Sequence, residues 1–218
     1  MEKFSLDAAS KDYKTQREAL RQAEIALKEQ REKVAAMRRD LAPDTPVPED
    51  YVFSEASGGE VRLSALFEPG KDTLLVFHYM WKPSDDNPCP MCTMWTDGYN
   101  AVAPHVAQNA SMVVVAKQDA APMRAFADDR GWSNLRTVSS GGTSFNRDFG
   151  MEDADGNQIP GVSVFVKDAS GAVRHFYTMS ALMGDDHYRG MDLLSPVWNM
   201  LDLLPGGRAD WMPSVNYS

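Results

Sequence analysis

Asn87-Pro88-Cys89-Pro90-Met91-Cys92 holds both cysteines of a 218-residue chain, three positions apart. Before it runs an apolar segment, Thr73-Leu74-Leu75-Val76-Phe77-His78-Tyr79-Met80-Trp81, and after it a segment of helical composition from Thr93 to Gln108. The stretch Leu74–Met80 is nearly continuous in apolar residues and bounded by breakers, so it predicts a strand buried on both faces. A C-x-x-C where such a strand gives way to a helix is the pattern of thiol–disulfide chemistry.

Outward from that stretch the chain alternates. Ser111-Met112-Val113-Val114-Val115-Ala116-Lys117 predicts a second buried strand. Ala120–Arg130 carries Met123, Phe126 and Ala127 at helical spacing, with Gly131 placed to cap it. Arg136–Ser139 is a weaker strand, and 140–155 has no predicted shape. Val162–Val166 and Val173–Tyr177 form strands joined by the turn Asp168-Ala169-Ser170-Gly171. Asp192–Leu204, with Leu193, Leu194, Val197, Trp198, Leu201 and Leu204, predicts a closing amphipathic helix that Pro196 either starts or kinks. Upstream, Tyr51-Val52-Phe53 and Val61-Arg62-Leu63 flank Gly58-Gly59 as a small hairpin, and Leu63–Phe67 predicts a helical turn. Strand–helix alternation of this kind implies an α/β domain, a central mixed sheet with helices on both faces.

The first 42 residues differ. They are rich in Ala, Lys, Arg, Glu and Gln without Gly or Pro, which is strong helix composition. Leu6, Tyr13, Leu20, Leu27, Val34 and Leu41 recur every seven residues. The second seam position holds Ala23 and Met37 but also the polar Gln16 and Gln30. An isolated helix of this length needs a partner for its apolar stripe, either the main domain or a second copy in a homodimer. The expected organisation is an N-terminal amphipathic helix over 1–42 and a proline-rich connector over 43–50. The main domain follows over 51–205, with a loose tail over 206–218.

Composition excludes several function classes. With 22 basic against 31 acidic residues the formal charge is −9. Nucleic acids and anionic membranes both select clustered Lys and Arg, so neither is an expected partner. The N-terminal residues carry no signal-peptide core, and the apolar runs fall short of the about 18 residues that a membrane helix requires. The expected location is the cytoplasm, where a C-x-x-C pair is catalytic, sensing or metal-binding rather than a static disulfide.

With these residues in view, the chain resembles a thioredoxin-fold protein. Leu74–Met80, then Cys89-Pro90-Met91-Cys92 opening a helix, then Met112–Ala116 resemble the first βαβ unit of that superfamily. Ile159-Pro160-Gly161 resembles its Ile-Pro-Thr turn, in which a cis-proline faces the cysteines; Gly161 stands where Thr is usual. The whole chain more closely resembles a bacterial family named only as a domain of unknown function and described as predicted dithiol–disulfide oxidoreductases. The shared features include Phe77-His78-Tyr79-Met80, Ser144–Gly150 and Gly161-Val162-Ser163-Val164-Phe165. The resemblance implies a thioredoxin-like fold preceded by a long helix, and a supporting role for Pro160. Peroxiredoxin relatives place Thr or Ser three residues before the peroxide-reacting cysteine; here Asp86 precedes Cys89 at that spacing, so that motif is missing. Cys-Pro-x-Cys is instead similar to the motif of glutaredoxins and disulfide oxidases.

The chemistry of the pair follows from its placement. Only a thiolate attacks a disulfide, and the first turn of a helix offers unsatisfied N–H groups and the positive end of the dipole. Cys89 is therefore the expected nucleophile and Cys92, one turn inside, the resolving thiol. Pro90 suits the first helical position, where a missing N–H costs nothing. Tyr79, Trp81 and Trp95 form either an apolar substrate rim or part of the core.

Two thiolates cannot complete a tetrahedral zinc site. His78 lies in a strand and His105 far along the helix, so no metal is expected short of a site shared across a dimer. Asp185-Asp186-His187 and Asp153-Ala154-Asp155-Gly156-Asn157 are weaker metal candidates, the second lacking the remaining calcium ligands. The expected function is dithiol–disulfide exchange with a protein or small-molecule partner and no cofactor beyond the pair. The alternatives are a non-catalytic binding or redox-sensing module and a thiol-dependent peroxidase.

Overall fold

The computed structural model describes residues 6–184 and 189–216. The chain forms two compact units, one ending at Ala42 and one beginning at Pro43. The first consists of helix α1, Lys11–Arg39, whose N-cap Ser10 accepts a hydrogen bond from the Tyr13 N–H. Arg38 and Arg39 occupy its last turn, where a positive charge suits the dipole. None of its residues is buried.

The second unit is built on one sheet. Its strands are β1 (Thr45–Pro46), β2 (Val52–Ser54), β3 (Glu60–Arg62), β4 (Thr73–His78), β5 (Ser111–Ala116), β6 (Arg136–Ser139), β7 (Gly161–Lys167) and β8 (Val173–Ser180). Among the described residues they lie in the order β1-β8-β7-β4-β5-β6-β2-β3. The pairs β4–β5 and β5–β6 are parallel; β4–β7 and β7–β8 are antiparallel. The sheet is therefore mixed, with β4 at its centre. The helices are α2 (Pro90–Val106), α3 (Ala120–Asp129), α4 (Phe145–Asp148) and α5 (Pro196–Leu201).

Successive side chains of a strand point to opposite faces, and both faces of β4 and β5 are covered. Phe77 and Val114 join Trp95 and Tyr99 of α2, Met123 of α3 and Trp198 of α5 in one apolar cluster. Leu74, Val76, Val113 and Val115 join Tyr51, Phe53, Leu63, Phe145 and Phe165 in another. This double burial is why both strands read as continuous apolar runs. Helix α2 closes the βαβ crossover between the parallel strands β4 and β5, and so carries the cysteines to the C-terminal edge of β4.

Several local outcomes differ from the sequence expectation. The closing helix does not span 192–204: a 3-10 turn, Asp192–Leu194, is followed by α5. Ser195 is extended (φ −128, ψ 128), as a residue before proline must be, and Pro196 takes the first helical position. The stretch 140–155 contains α4, whose Phe145 is fully buried against Tyr51 and Phe53. Within 43–50, Thr45 and Pro46 pair with β8 as an edge strand, where a proline is tolerated. Within the C-terminal stretch, the Val215 carbonyl accepts a 2.7 Å hydrogen bond from Arg130, which also pairs with Asp97. No described helix is long and apolar enough to cross a membrane.

Candidate functional site

Cys89 is the N-cap of α2 and Pro90 its first residue. The Cys92 backbone N–H points at the Cys89 sulfur, 3.5 Å away. The sulfur thus stands where a helix ordinarily places a capping oxygen, against donors that have no partner within the helix. Both cysteines are free thiols; Cys89 is half-buried and Cys92 is fully buried. The hydrogen bond from the Cys92 thiol, helped by the backbone N–H groups of Cys92 and Met91, pulls the Cys89 thiol down to about 6 against the opposing effect of burial. Burial, together with the bond to Cys89 and its charge, drives the Cys92 thiol well above its ordinary value. The environment separates two identical thiols into an anion near neutral pH and a protonated neighbour.

The backbone around the pair is fixed from both sides. The Cys89 N–H donates to the Met80 carbonyl at 3.2 Å, tying the helix start to the end of β4. The Cys89 carbonyl accepts from the Thr93 N–H at 3.0 Å and from the Thr93 hydroxyl at 2.9 Å. Thr96 repeats the arrangement on the Cys92 carbonyl at 2.8 Å. Neither threonine is evident from the sequence as a site residue, although both follow the motif at helical spacing.

Of the three aromatic residues flanking the motif, the structure brings only Trp95 to the site. Tyr79 is 2% exposed, with its hydroxyl 2.7 Å from the Thr93 hydroxyl and its ring edge-on to Trp132. Trp81 packs edge-on against Phe126. The reading of Tyr79 and Trp81 as a substrate rim therefore gives way to a core role, because strand alternation and the tight return after β4 turn both rings inward. Trp95 lines a cleft of about 920 Å³ beside Cys89, together with Met80, Met91, Pro160 and Trp198. Pro160 lines the same cleft as Cys89, and the Ile159–Pro160 bond is trans, the favoured form of an X–Pro bond, rather than the cis form the resemblance implies.

The remaining wall of the cleft comes from residues the sequence does not flag: Gln158, Arg189 and the segment 208–213. Trp198 registers in the sequence only as an apolar residue of a closing helix. Their contribution depends on chain return from about 70 or more residues downstream of Cys89, which no local pattern encodes.

Other candidate ligands lie elsewhere. His78 stacks on Phe145 in the opposite layer, with Nε2 2.8 Å from the Ser163 hydroxyl. Asp153 accepts from the N–H groups of Asp155 and Asn157, which makes it the pivot of a turn. Asp185-Asp186-His187 lies outside the described residues. Among the described residues no three His, Cys, Asp or Glu side chains converge as a metal site.

A mixed sheet with β4–α2–β5 at its centre and a C-x-x-C opening α2 defines a thioredoxin-fold protein. A solved structure agrees on the fold. Peroxidoxin BcpB of Mycobacterium tuberculosis superposes with a TM-score of 0.51 at 19% identity, over 71% of this chain and 93% of that one. The bacterioferritin comigratory protein of Xanthomonas campestris gives 0.48 at 18% identity, over 71% and 92%. A peroxiredoxin-like protein from Aquifex aeolicus gives 0.46 at 16% identity, over 61% and 72%. No curated protein matches the sequence. A family profile matches residues 5–217, and the chain belongs to that family, a bacterial family of unknown function designated DUF899.

Proposed function

We propose that the protein is a thiol–disulfide oxidoreductase in which Cys89 attacks and Cys92 resolves. The observation that carries this reading is the asymmetry of the pair. One sulfur caps a helix at the mouth of a cleft with its pKa near 6, and the other is buried one turn inside with its proton held. Attack by the Cys89 thiolate on a partner disulfide breaks its S–S bond and forms a mixed disulfide. Cys92 then loses its proton and attacks the Cys89 sulfur, releasing the partner as a thiol. No cofactor enters this exchange. A cytoplasmic setting, where thiols are kept reduced, suits a free pair. The acidic balance of the chain disfavours nucleic acid as a partner.

Reduction of insulin by the fully reduced protein tests the proposal. The wild type should precipitate insulin chains, Cys89→Ser should abolish the reaction, and Cys92→Ser should accumulate a mixed disulfide. Wild-type protein inert towards insulin and small disulfides alike would sink it.

A thiol peroxidase is the second reading, supported by the likeness in fold to a protein named as a peroxidoxin. Against it, Asp86 replaces the hydroxyl residue expected three positions before Cys89. Stopped-flow mixing with hydrogen peroxide separates the two, since a peroxidase forms sulfenate at Cys89 faster than it reacts with any disulfide.

A further inference from the structure

The cleft beside Cys89 combines apolar walls with donors that lack acceptors. Met80, Met91, Pro160 and the indoles of Trp95, Trp198 and Trp211 supply the apolar surface. Its volume, about 920 Å³, falls within the range of small-molecule sites. Trp95 and Trp198 are 1% and 5% exposed, yet neither indole N–H has a hydrogen-bond partner among the described residues. The side-chain amide nitrogen of Gln158, which also lines the cleft, is likewise unpartnered. Buried donors are ordinarily satisfied, and each orphan costs roughly 1–3 kcal/mol. With the Arg189 Nε, also unpartnered, four such donors around one cleft point to a ligand that brings acceptors.

Charge narrows the class. Arg189 and Arg208 line the cleft, but Arg189 pairs with Asp192 and Arg208 with Asp202, at 2.7 Å for the latter pair. Asp210 is on the same wall. Both guanidinium charges are thus answered by carboxylates within the protein, although Arg189 Nε, like the neutral donors, has no partner of its own.

We propose that this cleft binds a small, neutral disulfide with an apolar body and a carbonyl or amide acceptor. The acceptor meets Trp95, Trp198 and Gln158 while the S–S bond lies against Cys89. The chemical half of this inference rests on Cys89 being the nucleophile; the binding half does not. In one turnover the Cys89 thiolate displaces one ligand sulfur, which takes a proton. Cys92 then gives up its proton and displaces the other ligand sulfur from Cys89. The ligand gains two electrons and two protons, and the pair becomes a disulfide, so a single turnover needs no external reductant.

Lipoamide, a neutral cyclic disulfide with an alkyl chain and an amide, is the probe. Cystamine, short, dicationic and without a carbonyl, is the control. Tryptophan fluorescence of Cys89→Ser measures binding without chemistry, and a single turnover of reduced wild type measures reduction. Lipoamide should quench saturably and be reduced with saturation kinetics, while cystamine does neither. Trp198→Phe and Gln158→Leu, each built into the Cys89→Ser background, should each weaken lipoamide about fivefold, the loss expected for one hydrogen bond. Unsaturable lipoamide quenching, equal saturation by cystamine, or no loss in either variant would overturn the site, even if insulin were still reduced. Saturable binding without lipoamide reduction would overturn the substrate assignment alone if insulin were still reduced, and the redox reading of Cys89 with it if insulin were not.

Discussion

Gly161 begins β7, where a Cβ would stand 2.6 Å from the Met179 carbonyl oxygen and against the Met151 sulfur. The methionine can swing aside; the carbonyl belongs to β8, paired with β7 on one side, and cannot move without loss of register. This explains why glycine occupies the place at which the wider superfamily has Thr, directly after Pro160. Gly161→Ala should lower stability by about 1–3 kcal/mol, as overpacking of a tight site does, with the shift read in the midpoint of urea unfolding. A neutral result would mean that β7 and β8 are looser than they look. At the same scale, Cys89 and Pro90 were legible because helix N-terminal chemistry is local: a cysteine, a proline and a preceding strand are enough. Thr93 and Thr96 were not, because a hydroxyl bonded to the carbonyl four residues back leaves no mark in composition.

Strands β4 and β5 declare themselves in the sequence since both of their faces are buried; helix α2 does so by composition and α3 by apolar spacing. Helix α4 did not, being four residues long and held by Phe145 rather than by propensity. The end of β4 also carries a titratable group within a packed layer. His78 is 1% exposed, and burial, aided by repulsion from His175, pushes it down to about 3. The folded protein therefore holds this imidazole neutral where the unfolded chain would protonate it. Its contribution to stability is present above about 6.5 and is lost as pH falls from there towards about 3. Thermal unfolding followed between those limits should show Tm falling with acid, and the fall should be shallower in His78→Gln. An identical slope in the variant would assign the acid sensitivity to other groups.

At the scale of the whole molecule, both apolar clusters are made of residues beyond Pro43, and the described residues of helix α1 bury none of their side chains. A protein comprising residues 43–218 should therefore fold by itself, with a cooperative thermal transition. Calorimetry on that fragment checks this, and the absence of a transition would show that the domain needs its N-terminal helix. The sequence conveyed the division between helix and domain through a change of period at the prolines 43, 46 and 48. It could not convey the cleft, whose walls come from Met80 just after β4, α2, Pro160, α5 and the segment 208–213. Those pieces meet only through the sheet order, and Arg130 reaching Val215 helps hold the last of them in place.

Thiol exchange at this site depends most on Cys89 being an anion near neutral pH because Cys92 donates to it. The direct measurement is the rate of iodoacetamide modification at each cysteine against pH, resolved by peptide mass spectrometry. Cys89 should react first, with a midpoint near 6, and Cys92→Ala should move that midpoint upward by removing the leading stabilising bond. A Cys89 midpoint at the ordinary thiol value of about 8.5, or preferential reaction of Cys92, would contradict it.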